Sequence, residues 1–406
     1  MHNPLIESVA GGLAEIQGLY GAFSFPEKLL QKIWLRRDFD VRAARTVDGR
    51  RVQVVHPGRW NLLGGPDFKL ARLRFADGPE VVGDVELHLR ASDWDAHAHA
   101  RDPAYAGVLL HVVLFPPERG YVTRGAGGAE IPMLALLPLL HHDLEEYAAE
   151  EAVELLANRP AARLTNELAV HAPADLRTLL ELYAAGRWRQ KVHFAGLRLQ
   201  RLGWEASCHH AALEVLGYRY NRAPMLRVAA RWPLADWAAG RVGMEEVLAI
   251  EADAWSVQGV RPANQPRARL RQYAAWVAAK PSWPAELARW GEMLPAIPAA
   301  GETRTQRRLH RLPAVRDQLA EEVGADAVGG SRLDNLVCDA FLPLLAARSR
   351  SDDRRGWWFH WFGGDVPPFV AAGLRQLGVC DGRVQPFCHG LAQGLLGWLI
   401  EREVRR

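Results

Sequence analysis

Hydrophobic positions first recur at helical spacing between Pro26 and Asp38, where Leu29, Leu30, Ile33 and Trp34 share one face behind a proline that a first helical turn tolerates. This predicts one amphipathic helix. The period then falls to two. Arg50 to His56 carries Val52 and Val54 in alternation, Phe68 to Phe75 follows, and Val81 to Arg90 is third, each bounded by Gly, Pro or Asp as strands are. Asp48-Gly49 and Asp77-Gly78 fit tight turns beside them. Ser92, with Asp95 three residues on, has the arrangement of a capping box and predicts a short helix over about 93–100, ended by Pro103. Gly107 to Phe115 (GVLLHVVLF) is almost continuously β-branched or Leu, the pattern of a strand buried on both faces. The predicted order is helix, three strands, helix, strand.

From about residue 140 the period returns to 3.6, as at Leu176, Leu179, Leu180 and Tyr183, and it persists to the end of the chain with prolines as punctuation. No repeat of fixed period is visible. The expected organisation is an α/β domain over residues 1–150 and an Ala- and Arg-rich, mainly α-helical domain over 151–406, with an exposed loop from Ser349 to Arg355. Gly125-Ala126-Gly127-Gly128 falls short of a dinucleotide fingerprint and reads as a flexible hairpin.

At 406 residues, 49% hydrophobic and 24% charged, the composition is that of a folded globular chain. The longest uncharged apolar stretches, Ala104 to Phe115 and Ile131 to Leu140, fall short of the roughly 18 to 20 residues that cross a bilayer. The N-terminal Met-His-Asn-Pro-Leu-Ile-Glu lacks a secretory pattern, and the 4 Cys are too few for a disulfide scaffold. A soluble, cytoplasmic protein without membrane contact is expected. Charge is distributed unevenly: residues 1–150 hold 16 Lys and Arg against 20 Asp and Glu, and the remainder 34 against 27. Residues 187–231 are the most basic segment, with Arg187, Arg189, Lys191, Arg198, Arg201, Arg219, Arg222, Arg227 and Arg231 against Glu205 and Glu214 only. Such a run is either a solvated helical surface or a surface that meets phosphate.

Candidate chemistry concentrates in the first domain. Alternation along Val81 to Arg90 places Val81, Gly83, Val85, Leu87 and Leu89 on one strand face and Asp84, Glu86, His88 and Arg90 on the other. Gly64-Gly65-Pro66 sets Asp67 at the start of the strand expected to pair with it, so Asp67 and Glu86 converge. Two such carboxylates repel unless a proton or cation lies between them, and hard oxygen donors suit Mg²⁺ or Mn²⁺. A metal there can activate water and stabilise charge on an attacked phosphate. The bland alternative makes Asp67 a turn cap and Glu86 the partner of Arg72 or Arg74 in an exposed ion pair worth about 0 to 1 kcal/mol.

This arrangement resembles the PD-(D/E)XK, or restriction-endonuclease-like, superfamily, with Pro66-Asp67 and Glu86-Leu87-His88 in the places of its strand-start Asp and its Glu-x-Lys. The resemblance implies an αβββαβ core and a metal-dependent nuclease activity. His88 departs from it, since a neutral imidazole does not reproduce a permanent ammonium. Lys69, on the same strand face as Asp67, is the candidate to supply that charge. The longer strings HPGRWNLLGGPDF, GDVELHLRASDWDAHAHARDPAYAGVLLHVVLF, GWEASCHHAALEVLGYRYNRAPM and RPANQPRARL resemble a bacterial family known as domain of unknown function 2851. That family implies no activity of its own.

Other motifs are sparse. Gly-x-Ser-x-Gly, Walker A and His-Glu-x-x-His are absent. His97 and His99, read as helical, point about 200° apart and do not share a metal; Asp93 with His97 and Asp95 with His99 are better i, i+4 partners. His111 reads as a hydrogen-bonded core histidine. Cys380 and Cys388 with His389 form a sparse zinc set, and Trp357 to Trp361 reads as core more readily than as a base-stacking platform. Two functions stay open: a nuclease whose acidic core cuts nucleic acid delivered by the basic segment, catalysed by Asp67, Glu86, His88 and Lys69, or a non-catalytic nucleic-acid-binding scaffold with a degenerate core. A metal hydrolase of small molecules is the third class.

Overall fold

The computed structural model describes residues 6–9, 13–18, 21–157, 159–160, 165–252, 254–257, 260–380 and 386–404. The chain forms two units, Met1–Glu151 and Ala152–Val404. The first is mixed α/β and the second helical. No described helix is long and apolar enough to cross a membrane.

The first unit opens with a three-stranded antiparallel sheet that the sequence reading passed over: β1 (Ile6–Val9), β2 (Leu13–Gly18) and β3 (Gly21–Pro26). Its alternation is nevertheless present, since Ala14, Ile16, Phe23 and Phe25 are buried while Glu15 is exposed. Pro26 ends β3 and leads directly into α1 (Glu27–Arg36), which buries Leu29, Leu30, Ile33 and Trp34 and packs on β3 and on the central sheet. The main sheet contains β4 (Val52–His56), β5 (Arg59–Trp60), β6 (Phe68–Phe75), β7 (Glu80–His88), β8 (Val108–Val113) and β11 (Met133–Ala135). Its order is β11-β8-β7-β6-β4, with β5 also on β6. β6 runs antiparallel to β4 and β7, while β8 is parallel to β7 and β11. The Gly125–Gly128 turn closes the hairpin of β9 (Thr123–Arg124) and β10 (Glu130–Ile131).

Both faces of β8 and of the Val85–His88 end of β7 are covered, as the unbroken apolar run of β8 requires. On β7 the face expected to hold the ionisable groups is itself buried at its C-terminal end: Glu86 is 5% exposed and His88 1%. α2 (Asp93–Ala96) is shorter than expected, because Ser92 makes no side-chain cap and Asp93 instead accepts the Arg90 amide proton at Oδ2, 2.9 Å away.

The second unit is built on long helices. α3 (Leu144–Leu156) leads from the first unit; α4 (Pro173–Leu202) and α5 (Trp204–Arg231) follow, joined at Gly203. α5 is interrupted where Tyr218 takes a positive φ of 53° and Asn221 leaves helical geometry, ahead of Pro224. The last helix, His389–Val404, lies along α4. Gly394 permits this approach, because a Cβ there would collide with the Leu180 carbonyl oxygen. Trp357, Trp358, Phe359 and Trp361 are all buried, so the aromatic run is core. Gly394→Ala is therefore expected to destabilise the chain by about 1 to 3 kcal/mol, because the obstacle is rigid backbone; an unchanged urea midpoint for this variant contradicts the packing described.

Candidate functional site

Asp67 stands just before β6, one residue beyond the Phe68↔Val85 pair, and Glu86 lies next to it on β7. Each carboxylate is held by a backbone amide from across the pair. The Asp67 amide donates to Glu86 Oε2 over 2.9 Å, and the Leu87 amide donates to Asp67 Oδ2 over 3.0 Å. Gln31 of α1 donates from Nε2 to Asp67 Oδ1 over 2.6 Å while its Oε1 accepts from Trp60 Nε1. One turn earlier on α1, Glu27 keeps its Oε2 buried with no hydrogen-bond partner.

Burial dominates the electrostatics. It pushes the Glu27 carboxyl up to about 8, helped by the charges of Asp67 and Asp93. It raises Asp67 and Glu86 as well, the mutual charge adding to the shift of Glu86 and the backbone bonds opposing it in both. No described Lys or Arg is hydrogen-bonded to Asp67 or Glu86. Arg72 pairs with Glu80 and Arg74 bonds Gln53, so the exposed ion pair considered for Glu86 does not form. Lys69 lies opposite Asp84, on the strand face that also carries Glu86, and its charge acts on Glu86. It pairs with Asp84, 3.0 Å away, and the bulge that follows, with Leu70 at φ 57°, gives the Leu70 amide to the same carboxylate.

Beside the carboxylates lies a group of histidines. His88 Nδ1 is 2.9 Å from His111 Nε2, and His111 Nδ1 is 2.8 Å from Thr123 Oγ1. His88 Nε2 is 3.2 Å from His97 Nδ1 and 3.3 Å from His99 Nε2. Glu86 Oε1 approaches within 3.4 Å of His99 Nε2 and 3.6 Å of His88 Nε2. The helical reading of His97 and His99 is thereby corrected. α2 ends at Ala96, and Ala98 takes φ 56°, which reverses the chain and brings both rings to His88. Their proposed acidic partners are engaged elsewhere: Asp93 with the Arg90 amide and Asp95 with the Tyr121 hydroxyl. His99 stacks on Tyr105 with centroids 3.8 Å apart, and Trp94 packs on His99 and His111. Burial, then the neighbouring imidazoles, depresses His88 far below the usual range, His99 to about 4 and His111 to about 3. All three rings are neutral at pH 7. His111 is the hydrogen-bonded core residue expected of it, but its partner belongs to the site.

Glu27 and Gln31 escaped the sequence reading, which took from α1 only its apolar face. Their i, i+4 spacing beside that face was the available signal. The basic segment is already largely engaged: Lys191 pairs with Asp339, Arg198 and Arg222 with Glu214, Arg227 with Glu251 and Arg231 with Glu246, while Arg187 bonds Gln190 and Gln393. Arg189 and Arg201 also have partners. The Arg219 side chain lies outside the described residues. Cys380, Cys388 and His389 are buried but form no metal-ligand group; among the described residues that geometry belongs to His88, His97 and His99.

The first unit is thus an α/β sheet with buried carboxylates and imidazoles gathered at its central strand β7. Residues 27–252 match the family model described as "Protein of unknown function (DUF2851)", and the chain belongs to that family. The match begins at Glu27 and takes in the whole site. No curated protein and no solved structure matches the chain.

The pKa shifts set a pH dependence for the chelator-treated chain. Carboxyls raised in the fold contribute stability at low pH that is lost as pH rises from about 4.5 through about 8. Histidines depressed in the fold contribute stability above about 6.5 that is lost as pH falls toward 3 to 4. The two effects oppose each other between about 4.5 and 6.5, so the melting temperature should be flattest there and fall on either side. Glu27→Gln should remove part of the alkaline fall; an alkaline limb identical to the parent's refutes the assignment.

Proposed function

We propose that the chain is a metal-dependent phosphodiesterase acting on nucleic acid, with Asp67 and Glu86, joined by Glu27, holding a divalent cation. The observation that carries this reading is the partnerless, buried Glu27 Oε2 beside two carboxylates that no described basic side chain bonds. Three desolvated carboxyls are costly without protons or a cation. Oxygen donors fit Mg²⁺ or Mn²⁺, and the adjoining imidazoles favour Mn²⁺ of the two. The element order α1-β4-β5-β6-β7-α2-β8, in which β5 is a two-residue strand beside β6, supports the likeness to the restriction-endonuclease-like core.

When bound, the cation would lower the pKa of a coordinated water and offset charge developing on a phosphate. The chain's own residues do the positioning. The amides of Asp67 and Leu87 fix the carboxylates, and Gln31 clamps Asp67 to α1. His88, in the place of the nuclease lysine, is a neutral proton acceptor and supplies no permanent charge. Lys69, held by Asp84, is the nearest ammonium acting on Glu86. The same buried, neutral His88 favours the second reading, a nucleic-acid-binding scaffold whose core no longer cuts.

Incubation with single- and double-stranded DNA and RNA in Mn²⁺ or Mg²⁺ separates the two. Cleavage is expected, and Glu86→Ala or Asp67→Asn should reduce it by at least about 100-fold; binding without cleavage under every condition supports the scaffold. Neither binding nor cleavage excludes both. If residues 187–231 deliver the polyanion, affinity should fall with salt, and replacing Arg187, Arg189 and Lys191 together should flatten log K against log salt by about two to three units. A slope unchanged by the triple variant moves delivery elsewhere.

A further inference from the structure

We propose that His88, His97 and His99, with Oε1 of Glu86 as fourth donor, form a binding site for a zinc-class transition metal ion. Four donors arranged tetrahedrally about an ion at roughly 2.0 to 2.1 Å stand roughly 3.3 to 3.4 Å from one another. The donor separations are 3.2 Å (His88 to His97), 3.3 Å (His88 to His99), 3.4 Å (His99 to Glu86) and 3.6 Å (His88 to Glu86). The three ring nitrogens all lie within 4.8 Å of one another. Four of the six edges of such a tetrahedron are therefore in place, the three that meet at His88 and the one from His99 to Glu86.

Hydrogen bonding alone does not account for this convergence. His88 Nε2 carries either one proton or one lone pair, yet it faces two imidazole nitrogens and a carboxylate oxygen at 3.2 to 3.6 Å. A cation bound at His88 Nε2 and shared with the neighbouring donors relieves this crowding. The surroundings also fit. For His88 to ligate through Nε2, its proton must sit on Nδ1; there it donates to His111 Nε2, and His111 passes its own Nδ1 proton to Thr123 Oγ1. This chain fixes the tautomer of a ligating histidine as outer partners of metal sites do. Three imidazoles and a carboxylate, without thiolate, suit Zn²⁺ better than Mg²⁺. His97 is exposed while His88 and His99 are buried, which leaves an entry path from solvent.

The inference does not depend on the phosphodiesterase reading. Glu86 is common to both, whereas the three histidines belong to this site alone. The test uses the untagged full chain, stripped with chelator and titrated with ZnCl₂ by calorimetry and with Co²⁺ as an optical probe. One equivalent of Zn²⁺ per chain is expected, together with the intense visible band of four-coordinate Co²⁺. His97→Ala alters a solvent-facing ligand and should preserve the circular dichroism spectrum while weakening Zn²⁺ at least 10-fold and shifting the Co²⁺ band. Thr123→Val, two bonds removed from the ion, should weaken it by about 10 to 100-fold. Asp67→Asn should leave one equivalent of Zn²⁺ bound while losing any cleavage. An octahedral Co²⁺ spectrum, or Zn²⁺ affinity unchanged in folded His97→Ala, overturns the site. Cleavage that needs Asp67 in a chain without the Co²⁺ band would sink this inference and spare the phosphodiesterase; the reverse result would do the opposite.

Discussion

Desolvation of ionisable groups on the central strand β7 is the constraint from which the chemistry of the first unit follows. Glu86 and His88 alternate with Val85 and Leu87, and both sets are buried. The apolar set needs no further explanation. The polar set does, because a carboxylate taken from water must gain bonds, a proton or a counter-charge. Glu86 obtains one backbone bond from Asp67 and stands next to another desolvated acid. The imidazoles respond oppositely, since burial strips them of protons and leaves neutral nitrogen donors. The same low-polarity environment therefore makes the acids poor anions and the histidines good ligands, and a cation relieves both.

Much of this was legible. The periodicities located α1, β4, β6, β7 and β8, because each is buried on a face that repeats regularly. Asp67 and Glu86 could be brought together from a Gly-Pro turn and strand parity, since antiparallel neighbours with a short connection pair by default. The departures have local causes. His97 and His99 were misplaced by a positive φ at Ala98 that no propensity foretells. Glu27 and Gln31 contact the site through tertiary packing of α1, which a helix-by-helix reading does not contain.

The second unit shows a different limit of sequence reading. Counting charges along 187–231 identified a real excess of arginine, yet acids that neutralise it also come from outside the segment, as Asp339 does for Lys191 and Glu251 for Arg227, while Glu214 within it serves both Arg198 and Arg222. Linear charge density overstates the field such a segment presents. These pairs are largely buried, and each one removes a cation that a phosphate would otherwise meet.

The reciprocal bonds between Asp67 and Glu86 have a bearing on how the sheet finds its pairing. Each carboxylate accepts from an amide of the opposite strand, so the two bonds exist only in one alignment of β6 and β7. A slip by one residue would invert every side chain and drive Asp84, Glu86 and His88 into the apolar layer. Groups gathered for chemistry thus also discriminate the native strand alignment from its nearest competitor, and the centre acts as a proofreading element for the sheet that carries it.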